Sequence, residues 1–339
     1  PRRLAGTNDT ANPENEDAKD MTEDAADLLQ TAFEQYRTNN FPEAEAGYRR
    51  VLDLNPVQPD ALHLLGVLLK SQNDAQGALE FLTRAVAVAP DHAAAWLELT
   101  RLHHDASNWR DCITAARESL RLDPANAEIE LMRAAAFMAL RQFSEAAASA
   151  RNVIVALPDN ADVHVFHARC LMALKQFQEA VPSAQTAVRL APNAADAQFV
   201  LGACLKRAGR IDESEAPLGM AINLDPAAYE ALNDLADIHI ERGDAASAID
   251  CWRQSHGIKP YNLDAISGLC FYTAFDLRAT ATDLFQINRD WSQRLNAAAK
   301  EHVFPEAPQR SDPPDHKDKI RIAYIANDFF DHVTSWFLE

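Results

Sequence analysis

Two histidine pairs are the first residues whose spacing could do chemistry. His164 and His167 stand three apart, which on a helix sets both imidazoles on one face, where they could seat a metal ion. The adjacent His103 and His104 form a second such pair. Five cysteines (Cys112, Cys170, Cys204, Cys251 and Cys270) offer thiols, yet the number is odd and none forms a C-x-x-C pair, so neither a zinc knuckle nor a dithiol redox site is written here. There is no P-loop, no dinucleotide-binding glycine fingerprint and no H-E-x-x-H run. Acidic residues outnumber basic ones by 50 to 32, and the net charge of −18 would repel a phosphate backbone, which excludes nucleic acid as a first expectation. No apolar run approaches the roughly 18 residues of a membrane span. The N-terminus lacks the basic-then-apolar plan of a secretory signal. A cytoplasmic, reducing compartment with no membrane partner is therefore expected, with the cysteines as small buried apolar side chains.

What would position these residues is a repeat. Prolines fall at 56, 90, 124, 158, 192, 226 and 260, each 34 after the last. With proline as the 32nd position, seven units follow: 25–58, 59–92, 93–126, 127–160, 161–194, 195–228 and 229–262. Position 8 is small in six of them (Ala32, Gly66, Ala134, Ala168, Gly202, Ala236), with Thr100 the exception. Position 20 is small in all seven: Ala44, Ala78, Cys112, Ala146, Ala180, Ser214 and Ala248. Two helices that cross closely need small residues at the crossing. Position 17 starts the second helix with an apolar plug in Phe41, Trp109, Phe143, Phe177 and Ile211, replaced by Ala75 and Ala245 in the other two units. Polar turns such as Asn73-Asp74 and Gly243-Asp244 separate the helices, and each proline stops the second helix. The pattern resembles the tetratricopeptide repeat. It predicts an all-α, right-handed superhelix of seven helix pairs, with the first (A) helix of each pair on a concave inner wall and no strand before residue 319.

In this frame His164 and His167 take positions 4 and 7, which pack between helices, so a structural role leads and no metal is expected. The inner wall should carry positions 2, 5, 9 and 12. Its charges make a mixed groove for an extended polypeptide, and Arg101, Arg169, Lys206, Asn233 and Asp237 are the candidate peptide-binding residues. Position 2 is acidic in Asp60, Glu128, Asp162, Asp196 and Glu230.

The flanks differ. Residues 1–24 read as a disordered acidic leader, with Met21 a candidate native start. Residues 263–300 read as a degenerate eighth unit over 263–276, then a capping helix begun by Thr280 or Thr282, with Leu284, Phe285, Asn288, Trp291 and Leu295 on one face. Four prolines among charges mark 301–319 as a linker. The run Lys319-Ile320-Arg321-Ile322-Ala323-Tyr324-Ile325-Ala326 has strand character, so 320–339 should open an α/β domain.

The stretch K-I-R-I-A-Y-I-A-N-D-F-F-D-H-V-T-S-W-F-L-E, residues 319–339, resembles the opening strand and helix of the catalytic region in the SPINDLY-like O-linked N-acetylglucosamine transferase family. Residues 275–295, F-D-L-R-A-T-A-T-D-L-F-Q-I-N-R-D-W-S-Q-R-L, resemble the segment that joins repeats to catalysis in bacterial members. The resemblance implies the start of a GT-B-like domain and transfer of a sugar from UDP-N-acetylglucosamine, or a similar nucleotide sugar, to Ser or Thr of an acceptor protein. It sets His332 on the family's D-F-x-x-H histidine, a candidate base, and Asp328 on the acidic residue of that motif, where capping the next helix is an equal alternative. Better-known members carry Asn just before position 7. Here that place reads Gln30, Leu64, Glu98, Met132, Phe166, Val200 and Asp234, so the amide ladder is missing. The nucleotide-binding half is not among these 339 residues either, so the chain by itself is expected to bind no cofactor and to be inactive in sugar transfer. Two other readings stand beside this one: a non-enzymatic scaffold for a partner protein, and a flagellin glycosyltransferase using another nucleotide sugar. Homo-oligomerisation stays open.

Overall fold

A computed structural model describes residues 13–260, 262–276, 278–289 and 292, with side chains from residue 25 onward. The chain divides into two compact units, 1–287 and 288–339, and the helices that follow belong to the first. They come in pairs: α1 (Pro13–Arg37) with α2 (Phe41–Leu54), α3 (Pro59–Ser71) with α4 (Ala75–Val88), α5 (Ala93–Asp105) with α6 (Trp109–Leu122), and α7 (Ala127–Ala139) with α8 (Phe143–Ala156). Then come α9 (Ala161–Ala173) with α10 (Phe177–Leu190), α11 (Ala195–Arg207) with α12 (Ile211–Leu224), and α13 (Tyr229–Glu241) with α14 (Ala245–Ile258). An eighth A helix, α15 (Leu263–Tyr272), runs into a single 3-10 turn over Thr273–Phe275. The described residues contain no strand, and the units stack into an all-helical superhelix.

Every one of the seven prolines sits two residues past the end of a B helix, as the spacing predicts. The positions reserved for small residues are where the helices meet. Ala44, Ala78, Cys112, Ala146, Ala180, Ser214 and Ala248 are wholly buried, and so are Thr100, Ala134, Ala168 and Ala236 opposite them. A Cβ added to Gly202 would stand 2.6 Å from Leu218 Cγ, and one added to Gly66 would stand 2.6 Å from Leu82 Cγ. Thr100 fits despite its size because its hydroxyl turns back and donates to Trp96 O at 2.8 Å.

The turn inside each pair repeats one solution seven times. Asn39, Asn73, Ser107, Arg141, Lys175, Gly209 and Gly243 all have φ between 57° and 78°. The following amide donates to the carbonyl five residues back, for instance Asp74 N to Leu69 O at 2.9 Å and Asp244 N to His239 O at 2.8 Å. This is the Schellman closure, and only two of the seven sites carry the glycine that accepts a left-handed backbone without cost. The residue that closes the A helix also caps the B helix. Asp74 and Asp244 accept from Gly77 N at 2.9 Å and Ser247 N at 3.1 Å, and these are the two units without an apolar plug. Where the plug is present, as at Phe41, Trp109, Phe143, Phe177 and Ile211, the side chain is half-buried and the cap makes no side-chain bond. Plug and cap are alternative ways of fixing the same helix start.

Several boundaries shift. The first helix begins at Pro13, twelve residues before the expected array boundary at 25. Residues 281–287 are helical, and Thr280 opens them with a reciprocal cap: its hydroxyl accepts from Asp283 N at 3.2 Å while Asp283 Oδ2 accepts from Thr280 N at 2.8 Å. Ile287, which is not on the face expected to close the array, packs on the apolar cluster of α13 to α15, while Phe285 on that face is 66% exposed. The proposed linker at 301–319 and the α/β segment at 320–339, with Trp291 and Leu295, lie outside the described residues.

Candidate functional site

The A helices pack side by side, α5 on α7, α9 on α11 and α11 on α13, so one side of each faces the next unit's A helix. Charges along this wall pair across the units. Lys70 reaches Glu98 at 2.9 Å, Arg101 contacts the same Glu98 at 2.6 Å, and Arg101 also grips Glu128 at 2.8 Å. Arg169 pairs with Asp196, and Lys206 pairs with Asp234 at 2.8 Å and with Asp237 at 2.5 Å. Arginine at position 9 thus reaches an acid at position 2 of the next unit, and lysine at position 12 reaches an acid at position 6. Glu98 and Asp234, two of the residues standing where an amide ladder would be, are the acceptors of these cross-links.

Burial pushes the Glu98 carboxyl up, but hydrogen bonds from Lys70 and Arg101 outweigh it and hold the group below the usual carboxylate range. The hydrogen bond from Arg101 lowers Glu128 in the same way.

Three of the expected peptide contacts (Arg101, Arg169 and Lys206) are therefore engaged within the protein, and Asp237 is the partner of Lys206. The fifth, Asn233, is different. It lines a cleft of about 520 Å³ formed by Phe199 and Arg207 of α11, Tyr229, Glu230, Asn233 and Asp234 of α13, and Lys259, Asn262, Leu263 and Asp264 leading into α15. Its side-chain carbonyl is buried and has no hydrogen-bond partner. An adjoining hollow of about 220 Å³ shares Phe199, Tyr229 and Glu230 and adds Asp196 and Asp225. The cleft thus brings Asn233 together with Asp234, the partner of Lys206, and the hollow brings in Asp196, the partner of Arg169. Arg101, on α5, belongs to a separate network that spans α3, α5 and α7. Sequence reasoning missed Phe199, Tyr229 and Lys259. The signal available was Phe199, an aromatic at inner-wall position 5 of its unit.

The other candidates have structural surroundings. His164 Nε2 lies 2.8 Å from Pro158 O and His167 Nδ1 lies 2.9 Å from Ser183 Oγ, so the two imidazoles turn to different protein partners. His104 packs edge-on against Trp109, with ring centroids 5.7 Å apart. No three metal-ligating side chains converge among the described residues. His332 and Asp328 lie outside them. No helix among the described residues is long and apolar enough to cross a membrane.

The tetratricopeptide repeat family matches residues 29–93, 131–194 and 167–222. Among solved structures, the C-terminal part of a TPR repeat-containing protein from Cytophaga hutchinsonii is 14% identical, with a TM-score of 0.56 over 71% of this chain and 99% of that one. A tetratricopeptide repeat protein from Parabacteroides merdae is 12% identical, with a TM-score of 0.47 over 73% of this chain and 98% of that one. YrrB, described as a TPR protein with an unusual peptide-binding site, is 19% identical, with a TM-score of 0.38 over 65% of this chain and 96% of that one. No curated protein matches. With the 34-residue frame and the stacked helix pairs, these matches support a tetratricopeptide-repeat fold for the chain.

Proposed function

We propose that this array is a polypeptide-binding scaffold whose binding site is the cleft between α11, α13 and α15. Tetratricopeptide arrays hold peptide or protein partners, and the observation that carries the assignment here is Asn233. A buried amide carbonyl without a partner costs about 1–3 kcal/mol, which a backbone N–H of an extended peptide would recover. The Phe199 and Tyr229 rings beside it give apolar area for a side chain of the same peptide. Panning a random dodecapeptide library on the immobilised chain, with an Asn233→Ala, Phe199→Ala variant as counter-selection, tests the site. Peptides retained by the native chain and lost from the variant are expected. A pool bound equally by both removes the cleft as the site.

The finer reading is that the scaffold presents an acceptor protein to a protein O-glycosyltransferase domain, with a nucleotide sugar such as UDP-N-acetylglucosamine as donor. Its support is the D-F-F-D-H sequence ending at His332 and the joining segment 275–295. A transfer assay on a chain extended through the following reading frame, with and without His332→Ala, checks it. Undiminished transfer by the variant would take His332 out of the reaction.

A further inference from the structure

Resting on the cleft as a peptide site, we infer that its partner is a cationic polypeptide segment, with a lysine or arginine side chain seated between Phe199 and Tyr229 and the carboxylates of Asp225, Glu230 and Asp264. The charges that line the cleft and its adjoining hollow are unequal in number and in freedom. Five carboxylates (Asp196, Asp225, Glu230, Asp234 and Asp264) face two cations, Arg207 and Lys259.

Both cations are already engaged. The Lys259 ammonium lies 4.3 Å from the centroid of the Tyr229 ring and donates to its hydroxyl at 2.7 Å, while Arg207 stands 3.6 Å from Asp234. Two carboxylates are engaged as well: Asp196 by Arg169, and Asp234 by Lys206 at 2.8 Å. The remaining three make no ion pair among the described residues. Asp225 accepts from the Ala227 backbone N–H at 2.9 Å, Glu230 accepts from the Tyr229 hydroxyl at 3.0 Å, and Asp264 is exposed. Neutral donors such as these leave a full negative charge for a partner.

The Lys259 contact also shows the chemistry the site favours. The Tyr229 face already draws an ammonium, and Phe199, half-buried in both hollows, offers a second ring for an incoming cation. Upstream on the wall, Lys70 and Arg101 balance Glu98 and Glu128 within one network. An acidic segment entering the cleft would meet three exposed carboxylates that make no ion pair among the described residues, which is the arrangement that rejects it.

The charge of the panned dodecapeptides and the effect of charge-only substitutions test the inference. Asp225→Asn and Glu230→Gln keep an acceptor for the Ala227 N–H and the Tyr229 hydroxyl, so the fold is retained while the charge goes. The pool that depends on Asn233 and Phe199 should be net positive. A representative fluorescein-labelled member should lose about tenfold in affinity with the double variant, the sum expected of two partly exposed ion pairs. Raising sodium chloride should weaken it further in the native chain than in the variant. A cleft-dependent pool that is neutral or acidic, or an affinity unchanged by the double variant, overturns the inference and leaves the cleft as a peptide site. The absence of any cleft-dependent pool overturns both.

Discussion

Arg101 of α5 grips Glu128 of α7 with two parallel hydrogen bonds, Nε to Oε1 at 2.9 Å and Nη2 to Oε2 at 2.8 Å. The two residues are 27 apart in the chain, so the bond staples one unit to the next. The planar fork matches the carboxylate, a geometry that lysine at this place would not reproduce. Through its third contact, to Glu98, the same guanidinium joins a chain of four charges ending at Lys70.

Glu98 is the member of that chain with the least exposed carboxylate, and it sets a pH dependence. Its folded pKa lies below the ordinary carboxylate value of about 4.3. Its contribution is therefore complete above that value and is lost as pH falls through the folded pKa. Glu98→Gln should cost about 1–2 kcal/mol at neutral pH by urea unfolding. The gap from the native chain should close as pH falls through the folded pKa and the native carboxyl takes up its proton, and a gap that persists once it is neutral would place the energy elsewhere than in the ion pairs.

Two glycines in neighbouring helices should respond with opposite signs to the same substitution. Gly202→Ala forces a Cβ to within 2.6 Å of Leu218 Cγ and 3.2 Å of its backbone nitrogen, and should destabilise by about 1–3 kcal/mol. Gly219 in α12 has nothing within 4 Å of the same Cβ, and Gly219→Ala should stabilise by up to about 1 kcal/mol through helix propensity alone. Thermal midpoints of the two variants decide it. Equal shifts would mean that the crossing relaxes more freely than its packing suggests.

The thiols should divide by burial. Burial pushes Cys170 and Cys204 up to about 12, and Cys112 and Cys251 up to about 11. These four are buried, whereas Cys270 in α15 is only partly so. An aromatic disulfide reagent at pH 8 should therefore modify Cys270 first, with the other four reacting only as the array opens. Five thiols reacting at one rate would contradict this packing.

The helix pairs were legible in the sequence because a proline, a turn and two small residues recur at fixed positions, and each has one physical reason to be there. Asn233 was legible as an inner-wall residue for the same reason. The engagement of Arg101, Arg169 and Lys206 was not, because a repeat frame says which way a residue faces without saying how far one unit is rotated from the next. That rotation decides whether position 9 meets position 2 of its neighbour. Tyr229 was passed over since a polar aromatic at the first position of a helix carries no periodic signal. The start of α1 at Pro13 was hidden by composition. An acidic stretch reads as unstructured, yet the same acids favour a helix at its N-terminal end.

The seven turns with left-handed backbone have a mechanical consequence. One residue ends the first helix of a pair and begins the second, and helices pack more extensively within a pair than between pairs. Each hairpin is therefore a stiff plate and each junction between hairpins a softer joint, so the array should flex as a column of vertebrae does, by small tilts at every joint. The staples at Arg101–Glu128 and Lys206–Asp234 span such joints on one side only. Tension there limits how far these two joints can open on the side of the staples.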